Sequence, residues 1–220
     1  MTDALNARAE ILGRIRSALG RDGSLPSAQQ AWQAIPREYK LAGQLNPARR
    51  MDLFVDRLHD YGVHVTHCRS HAIAAAIAER FRARNKRTIL VPREIDQTWL
   101  SEAEEDIHFL TDESLSYEQL DHCDGVLTGC VLGIAETGTL GISHGSANGR
   151  RALTLIPDYH LCVIDANSVM ETVPEAFQAL EAYKDRPITL ISGPSATADI
   201  EMTRIQGVHG PRVLDVLIAG

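Results

Sequence analysis

The sequence predicts an α/β fold, a Rossmann-like and mostly parallel sheet flanked by helices, with an N-terminal helical arm. The first observation is the alternation of apolar strands with amphipathic helices, which is typical of parallel strands joined by crossover helices. The second is the size of the chain, since 220 residues with 44% hydrophobic content suit one α/β domain. The third is a stretch rich in Gly, Ser, Pro and Gln at residues 20–46, which separates an arm (1–45) from the domain (46–220).

The arm is predicted to begin with a helix over residues 4–19, whose leucines and isoleucine lie near helical spacing, and Gly20 is a suitable stop. Residues 1–50 carry eight basic and four acidic residues, whereas the other 170 carry 14 basic and 25 acidic ones. A basic arm on an acidic body suits an acidic partner. The positive charge is too weak to indicate nucleic-acid binding.

The domain is predicted to begin with a helix that Asn46 caps and Pro47 starts. Its apolar residues recur at i, i+3, i+4 and i+7, so one face is expected to be buried. Later, Thr172 and Glu175 have the spacing of a capping box. The expected strands are 63–66, 88–91, 107–110, 125–127, 139–143 (pairing back on the preceding strand), 153–156, 161–164, 188–191 and 213–218, with helices beginning at 70, 97, 116, 172 and 196.

No segment reaches the roughly 20 uncharged apolar residues of a membrane span. The first residues also lack the basic flank and apolar block of a secretory signal. We therefore expect a cytoplasmic protein without a membrane span.

The cysteines and histidines do not predict a metal site. Cys68, Cys123, Cys130 and Cys162 are scattered and fit neither a zinc ribbon nor an iron–sulfur motif. They are interpreted as small buried thiols. The histidines at 64, 67 and 71 flank a predicted strand end, where exposed side chains are the favoured interpretation.

The segment from Gly129 to Gly145 places one carboxylate, Glu136, among apolar, glycine and hydroxyl residues. Such a carboxylate can act as a nucleophile, a general base or an anchor for a ligand hydroxyl. It can equally cap backbone amides in a bend between two strands. Glu136 is therefore a candidate catalytic residue, with Thr137, Gly138 and Thr139 as candidate ligand contacts.

A second candidate segment runs from Ser192 to Asp199, where a strand leads through glycine into a predicted helix start. Free amides at such a turn attract phosphate or carboxylate, although simple capping and a tight turn explain the residues as well. The segment has no Walker lysine, which excludes a P-loop. Because ligands bind beyond the carboxyl ends of parallel strands, we expect both segments at one edge of the sheet. The candidate ligand contacts here are Ser192, Gly193, Ser195, Thr197 and Asp199, together with His160 and His209 in loops nearby.

Four motifs together resemble the LUD-domain family, in particular its LutC/YkgG type, over the chain from about Asn46 to the C-terminus. They are Ala135-Glu136-Thr137-Gly138-Thr139-Leu140, Leu155-Ile156-Pro157-Asp158-Tyr159-His160-Leu161-Cys162-Val163, Ser192-Gly193-Pro194-Ser195-Ala196-Thr197-Ala198-Asp199-Ile200-Glu201 and Gly207-Val208-His209-Gly210-Pro211. The resemblance implies a fold like that of the NagB/RpiA/CoA-transferase group. It also implies a part in bacterial oxidation of L-lactate to pyruvate beside iron–sulfur partner proteins, which would supply the clusters that this chain is expected to lack.

Three functional hypotheses follow. The first is an accessory or ligand-binding subunit of a lactate-oxidising complex, which takes a small carboxylate or phosphate-like ligand. The second is a transferase or hydrolase that uses Glu136, since the Glu-Thr-Gly-Thr-Leu-Gly turn is similar to the one that bears the nucleophile of CoA transferases. The third is a small-molecule sensor without chemistry. The sequence leaves open whether the chain is itself catalytic.

Overall fold

The computed structural model of the chain describes residues 2–19, 27–103, 105–145, 147–197, 205–206 and 210–220. It divides into two compact units, residues 1–39 and residues 40–220. The first unit contains helices α1 (Thr2–Ala18) and α2 (Ala28–Gln33). Helix α2 lies in the segment interpreted from sequence as a linker. It begins at a capping box, in which the Ser27 hydroxyl accepts a hydrogen bond from the Gln30 amide and the Gln30 side chain accepts one from the Ser27 amide.

The second unit begins at Lys40, a few residues before the boundary drawn from the sequence. Hydrogen bonds from two backbone amides explain why the unit begins before residue 46. The amide of Gly43 donates to Glu175 Oε1 at 2.9 Å, and the amide of Leu45 donates to Glu171 Oε2 at 2.6 Å. These bonds fasten residues 40–45 to the domain.

The larger sheet has six strands, and every neighbouring pair in it is parallel. Its order is β1-β12-β7-β4-β2-β3. This arrangement confirms the α/β class with a mostly parallel sheet. The strands are β1 (His64–Cys68), β2 (Thr88–Val91), β3 (His108–Thr111), β4 (Gly125–Gly129), β7 (Tyr159–Asp165) and β12 (Val213–Ala219).

A second, four-stranded sheet has the order β8-β5-β6-β9. Its pairs β5–β6 and β6–β9 are antiparallel, whereas β5–β8 is parallel. Two further short strands, β10 and β11, pair with each other in antiparallel fashion. The strands outside the larger sheet are β5 (Leu132–Ile134), β6 (Thr139–Ser143), β8 (Val169–Met170), β9 (Ile188–Ile191), β10 (Ala196–Thr197) and β11 (Ile205–Gln206).

The remaining helices are α3 (Pro47–Asp60), α4 (Ile73–Ala83), α5 (Tyr117–Asp121) and α6 (Val173–Leu180). The alternation along β7 shows how the layers form. Cys162 and Ile164 pack in the cluster that contains Phe54 and Leu58 of α3, whereas Leu161 and Val163 pack in the cluster that contains Ile77 and Phe81 of α4. Helix α3 and part of the smaller sheet therefore cover one face, and α4 covers the other.

Several local expectations were wrong. Residues 153–156 were expected to form a strand, but Arg151–Thr154 form a 3₁₀ helix with backbone turn hydrogen bonds, and the Arg151 guanidinium also donates to the Thr154 carbonyl. Ala196 and Thr197 are a strand rather than the start of a helix. The large apolar residue Phe177 of α6 is exposed, although the amphipathic pattern of the helices favours burial of such residues. Within the described part of the chain, no helix has the length and apolar character needed to cross a membrane.

Candidate functional site

The two segments singled out from sequence meet at one end of the smaller sheet. Leu140 pairs with Ile191 across the antiparallel strands β6 and β9, which brings the start of β6 beside the end of β9. A hydrogen bond of 2.8 Å joins the hydroxyls of Thr139 and Ser192, and another of 2.7 Å joins the hydroxyls of Thr137 and Thr139. Three hydroxyl groups thus form a continuous chain between the segments.

Two of the predicted ligand contacts, Gly138 and Gly193, are required by the backbone. Gly138 has φ of 59°, and a Cβ there would lie 2.8 Å from Cβ of Arg57 on α3. Gly193 has φ of 80°, and a Cβ there would lie 2.6 Å from Cβ of Tyr61. Both positions favour glycine because a side chain would be strained and would clash. The two turns are therefore held close against the end of α3.

Beyond Ser192 lies a pocket of about 240 Å³, which we call the hydroxyl pocket. It opens at the amino ends of β7 and β12, since His160 and Leu214 are the second residues of those strands. The expectation that this site would lie at the carboxyl ends was wrong, because its turns belong to the smaller sheet. Its polar side chains are Arg151, Thr154, His160, Thr189, Ser192 and Ser195.

His160 is a buried, neutral wall of the hydroxyl pocket, with only 1% of its surface exposed. Its Nε2 atom lies 2.8 Å from the hydroxyl of Thr128 on β4. Burial, with a smaller contribution from the nearby charge of Arg151, lowers the pKa of His160 to about 3. The ring is therefore uncharged at neutral pH, and Thr128 fixes its orientation.

Arg151 supplies the positive charge of the hydroxyl pocket. Its Nη1 atom donates to the carbonyl oxygen of Thr154 at 2.9 Å and to the hydroxyl of Thr154 at 2.8 Å. Burial lowers the pKa of Arg151, but a guanidinium remains protonated at neutral pH. None of the carboxylates in the described residues forms an ion pair with it. An uncompensated guanidinium beside hydroxyl groups favours an anionic ligand.

Glu136 lies outside the hydroxyl pocket. Its amide donates to the carbonyl oxygen of Glu171 at 3.1 Å, and its carboxylate, 40% exposed, lies 3.7 Å from Nζ of Lys40. Lys40 also donates a hydrogen bond to Glu171, whose side chain is buried. That hydrogen bond holds the pKa of Glu171 below its usual value. The hydroxyl chain thus runs from the residue next to Glu136 to the rim of the pocket.

Three other predicted ligand contacts, Thr197, Asp199 and His209, are not among the described residues that line the hydroxyl pocket. The backbone of Thr197 pairs with Ile205 in the short β10–β11 ladder. Asp199 and His209 lie outside the described residues. The structure therefore brings Thr139, His160, Ser192, Gly193 and Ser195 together, since Thr139 bonds to Ser192 and the other four line the pocket.

Sequence reasoning missed Arg151, Thr154 and Thr128. The strand expected at 153–156 concealed the first two, because it implied alternating side chains rather than a turn that folds Arg151 back onto Thr154. The available signal was the pair Arg150-Arg151 directly after Gly149, a basic pair at the end of a glycine-containing loop. Thr128 gave no signal beyond a hydroxyl in an otherwise apolar strand.

The histidines near β1 do not gather around a metal. Nε2 of His64 lies 2.7 Å from Nη1 of Arg80, and burial, followed by the charge of Arg80, lowers the pKa of His64. Among the described residues, no group of three or more His, Cys, Asp or Glu side chains is arranged to hold a metal ion.

Comparison with known proteins identifies the family. Residues 51–219 match the LUD domain. The chain belongs to the LUD-domain family. The LUD domain accounts for both sheets and the hydroxyl pocket, since β1 to β12 all fall within the matched residues.

Similar LUD proteins match nearly the whole chain. Lactate utilization protein C of Deinococcus radiodurans is 41% identical over 217 residues, covering 97% of this chain and 96% of that protein. Uncharacterized protein YkgG of Escherichia coli is 29% identical over 224 residues, covering 94% of this chain and 95% of that protein. The crystal structure of a DUF162 family protein from Deinococcus radiodurans superposes with a TM-score of 0.69 at 38% identity, covering 80% of this chain and all of that one.

Proposed function

We propose that this chain is a component of a lactate-utilisation system, in which it binds a small carboxylate such as L-lactate or pyruvate in the hydroxyl pocket. The observation that carries the proposal is the uncompensated guanidinium of Arg151 beside neutral His160 and the Ser192 hydroxyl. The name of the Deinococcus relative, Lactate utilization protein C, supports the metabolic role.

The chemistry of the pocket suits a 2-hydroxy or 2-oxo acid. A guanidinium pairs with a carboxylate through two parallel hydrogen bonds, and Arg151 uses Nη1 on Thr154 but keeps its other donors. The Nε2 atom of His160 is engaged by Thr128, which leaves Nδ1 for the hydroxyl or keto oxygen of a ligand. Ser192 and Ser195 add polar groups to the lining of the pocket. The pocket volume of about 240 Å³ limits the ligand to a small molecule.

We further propose that the electrons from lactate pass to iron–sulfur partner proteins, with this chain as an accessory or ligand-binding subunit. Oxidation of lactate to pyruvate releases two electrons and two protons, so an acceptor is required. We propose that separate iron–sulfur proteins supply that acceptor, and the resemblance to the LUD-domain family supports this proposal.

Reconstitution with the candidate iron–sulfur proteins tests this function. Lactate-dependent reduction of a dye is measured with the complete set, without this chain, and with the Arg151→Ala variant. We expect little dye reduction without the chain and a large loss with Arg151→Ala. Arg49→Ala is the matched control, because Arg49 is an exposed arginine on α3. Unchanged assembly and dye reduction without this chain would refute the role.

Glu136 has a distinct test, because its role as a nucleophile stays a prediction. A nucleophilic glutamate would attack an acyl-CoA thioester and retain the acyl group as a mixed anhydride while CoA leaves as the thiol. Intact mass after incubation with a panel of acyl-CoAs would reveal such an adduct, and Glu136→Gln would abolish it.

A further inference from the structure

A second pocket, of about 530 Å³, lies at the opposite end of the parallel strands from the hydroxyl pocket. We call it the arginine pocket, and its defining residues are Arg93, Asp112, Glu113, Gly149 and Arg150. We propose that the arginine pocket binds a phosphate ester that carries sugar or polyol hydroxyls, such as a mononucleotide or a polyol phosphate. This site goes beyond the proposed lactate role and does not depend on it.

Topology favours a ligand at this place. Strands β2 and β4 are neighbours, but the chain leaves β2 toward β3 on one side and leaves β4 toward β7 on the other. Such a reversal opens a crevice at the carboxyl ends of the strands, where ligands of open α/β sheets bind. Arg93 follows β2 by two residues and Asp112 follows β3 directly, so the arginine pocket lies at the carboxyl ends of β2 and β3, on the side of the sheet next to that reversal.

The buried carboxylate of Asp112 orients the guanidinium of Arg150 so that it can bind an anion. Its Nε and Nη2 atoms donate to the two oxygens of Asp112, at 2.7 and 3.0 Å, and the Asp112 side chain is 5% exposed. Nη2 also donates to the carbonyl oxygen of Leu115. These contacts leave Nη1 for a ligand and fix the plane of the guanidinium, which favours directional bonding to phosphate oxygens.

Arg93 contributes a charge that the described residues do not neutralise. Its side chain is exposed and forms neither an ion pair nor a hydrogen bond with any of them. The carboxylate of Asp112 is already committed to Arg150. A phosphate group between Arg93 and Nη1 of Arg150 would meet donors from two different loops of the chain.

A second carboxylate in the lining indicates that the ligand carries more than phosphate. Glu113 adds a carboxylate, which repels a bare anion but accepts hydrogen bonds from sugar hydroxyls. The neighbouring Ser114 has φ of 81°, an uncommon conformation for a residue other than glycine, and such conformations gather at functional sites. The combination favours a phosphate ester with hydroxyl groups over inorganic phosphate.

Calorimetric titration of the full chain tests this proposal with AMP, glycerol 3-phosphate, inorganic phosphate and adenosine. We expect AMP or glycerol 3-phosphate to bind at least about tenfold more tightly than inorganic phosphate or adenosine. Which of the two binds better distinguishes a nucleotide from a polyol phosphate. If neither ester binds, or if adenosine binds as tightly as AMP, the proposal is wrong.

Variants locate the binding. Arg93→Ala should weaken binding of the ester about tenfold or more, because a charge-assisted hydrogen bond is lost. Arg49→Ala removes the same charge from an exposed position on α3 and should leave the affinity unchanged. Equal effects of Arg93→Ala and Arg49→Ala would overturn the assignment. If the lactate role fails but the ester still binds, only the proposed function of the hydroxyl pocket is refuted.

Discussion

The hydroxyl pocket and the arginine pocket use two consecutive arginines in opposite ways. Arg150 reaches the carboxyl ends of the strands, where it forms an ion pair with Asp112, whereas Arg151 reaches the amino ends and pairs with no carboxylate in the described residues. His144 connects the two regions, since Nδ1 bonds to the carbonyl oxygen of Gly149 and Nε2 bonds to the Thr189 hydroxyl. The difference between the pockets is their carboxylates: Asp112 and Glu113 line the arginine pocket and repel a simple carboxylate, whereas no described carboxylate lines the hydroxyl pocket.

The largest expected difference between the pockets is in the stability lost when a glycine of the lining is replaced by alanine. Gly193→Ala at the hydroxyl pocket should lower the free energy of unfolding by about 2–4 kcal/mol, because of its φ of 80° and the clash with Tyr61. Gly145→Ala at the arginine pocket meets only the flexible end of Arg186, at 3.4 Å, and should cost less than about 0.5 kcal/mol. Urea unfolding of both variants measures the difference. Equal losses of unfolding free energy in the two variants would show that the two glycines are equally closely packed.

Acid should destabilise the protein through His160. Its pKa in the folded chain is about 3, against an ordinary value of 6.5, so the unfolded chain binds a proton first as the pH falls. The free energy of unfolding then decreases by about 1.4 kcal/mol for each pH unit between about 6.5 and 3. At pH 5 the free energy of unfolding has therefore decreased by about 2 kcal/mol through His160.

Urea unfolding at pH 7 and pH 5 checks this loss. Because other groups also titrate in the range, the measured quantity is the difference between the chain and His160→Gln. The variant should lose about 2 kcal/mol less on acidification. The same pH dependence in both proteins would contradict the buried, neutral histidine.

Removal of the central hydroxyl of the chain between the segments should have a moderate effect. Thr139→Val deletes two hydrogen bonds at nearly constant shape and should cost about 1–2 kcal/mol of stability. Thr111→Val, at an exposed strand end near the arginine pocket, is the matched control and should cost little. Thermal unfolding compares the two. A neutral Thr139→Val would mean that the hydroxyl chain does not hold the segments together.

The smallest expected effect is that of Glu136→Gln, which tests whether Glu136 contacts a ligand in the hydroxyl pocket. Because the carboxylate of Glu136 faces Lys40 and lies outside the pocket, Glu136→Gln should leave the dissociation constant for pyruvate unchanged within about twofold. Calorimetric titration measures it. A change of tenfold would place Glu136 against the ligand.

Much of the fold could be predicted because local signals and tertiary packing agree. The capping pair Thr172 and Glu175 starts α6 as expected, and the strands at 88–91, 139–143 and 188–191 lie where the sequence places them. The division into two sheets could not be predicted, since it depends on which strands pair. That division sets the end of the molecule at which the hydroxyl pocket opens.

The site was predicted less completely, because it depends on contacts between residues far apart in the chain. Ser192 and Thr139 stood out as hydroxyls beside glycines, but nothing local indicated that they bond to each other. Arg151 was missed because its role requires a turn that its own side chain stabilises through Thr154. Glu136 stood out as a lone carboxylate, whereas its contact with Lys40 comes from a segment interpreted as a linker.

Direct titration of pyruvate and L-lactate into the chain and into Arg151→Ala and Arg150→Ala tests whether Arg151 holds a small carboxylate in the hydroxyl pocket. We expect saturable binding, a loss of affinity of about tenfold to a hundredfold with Arg151→Ala, and little change in affinity with Arg150→Ala. Absence of binding by either acid, or an equal loss in the two variants, would contradict this role of Arg151.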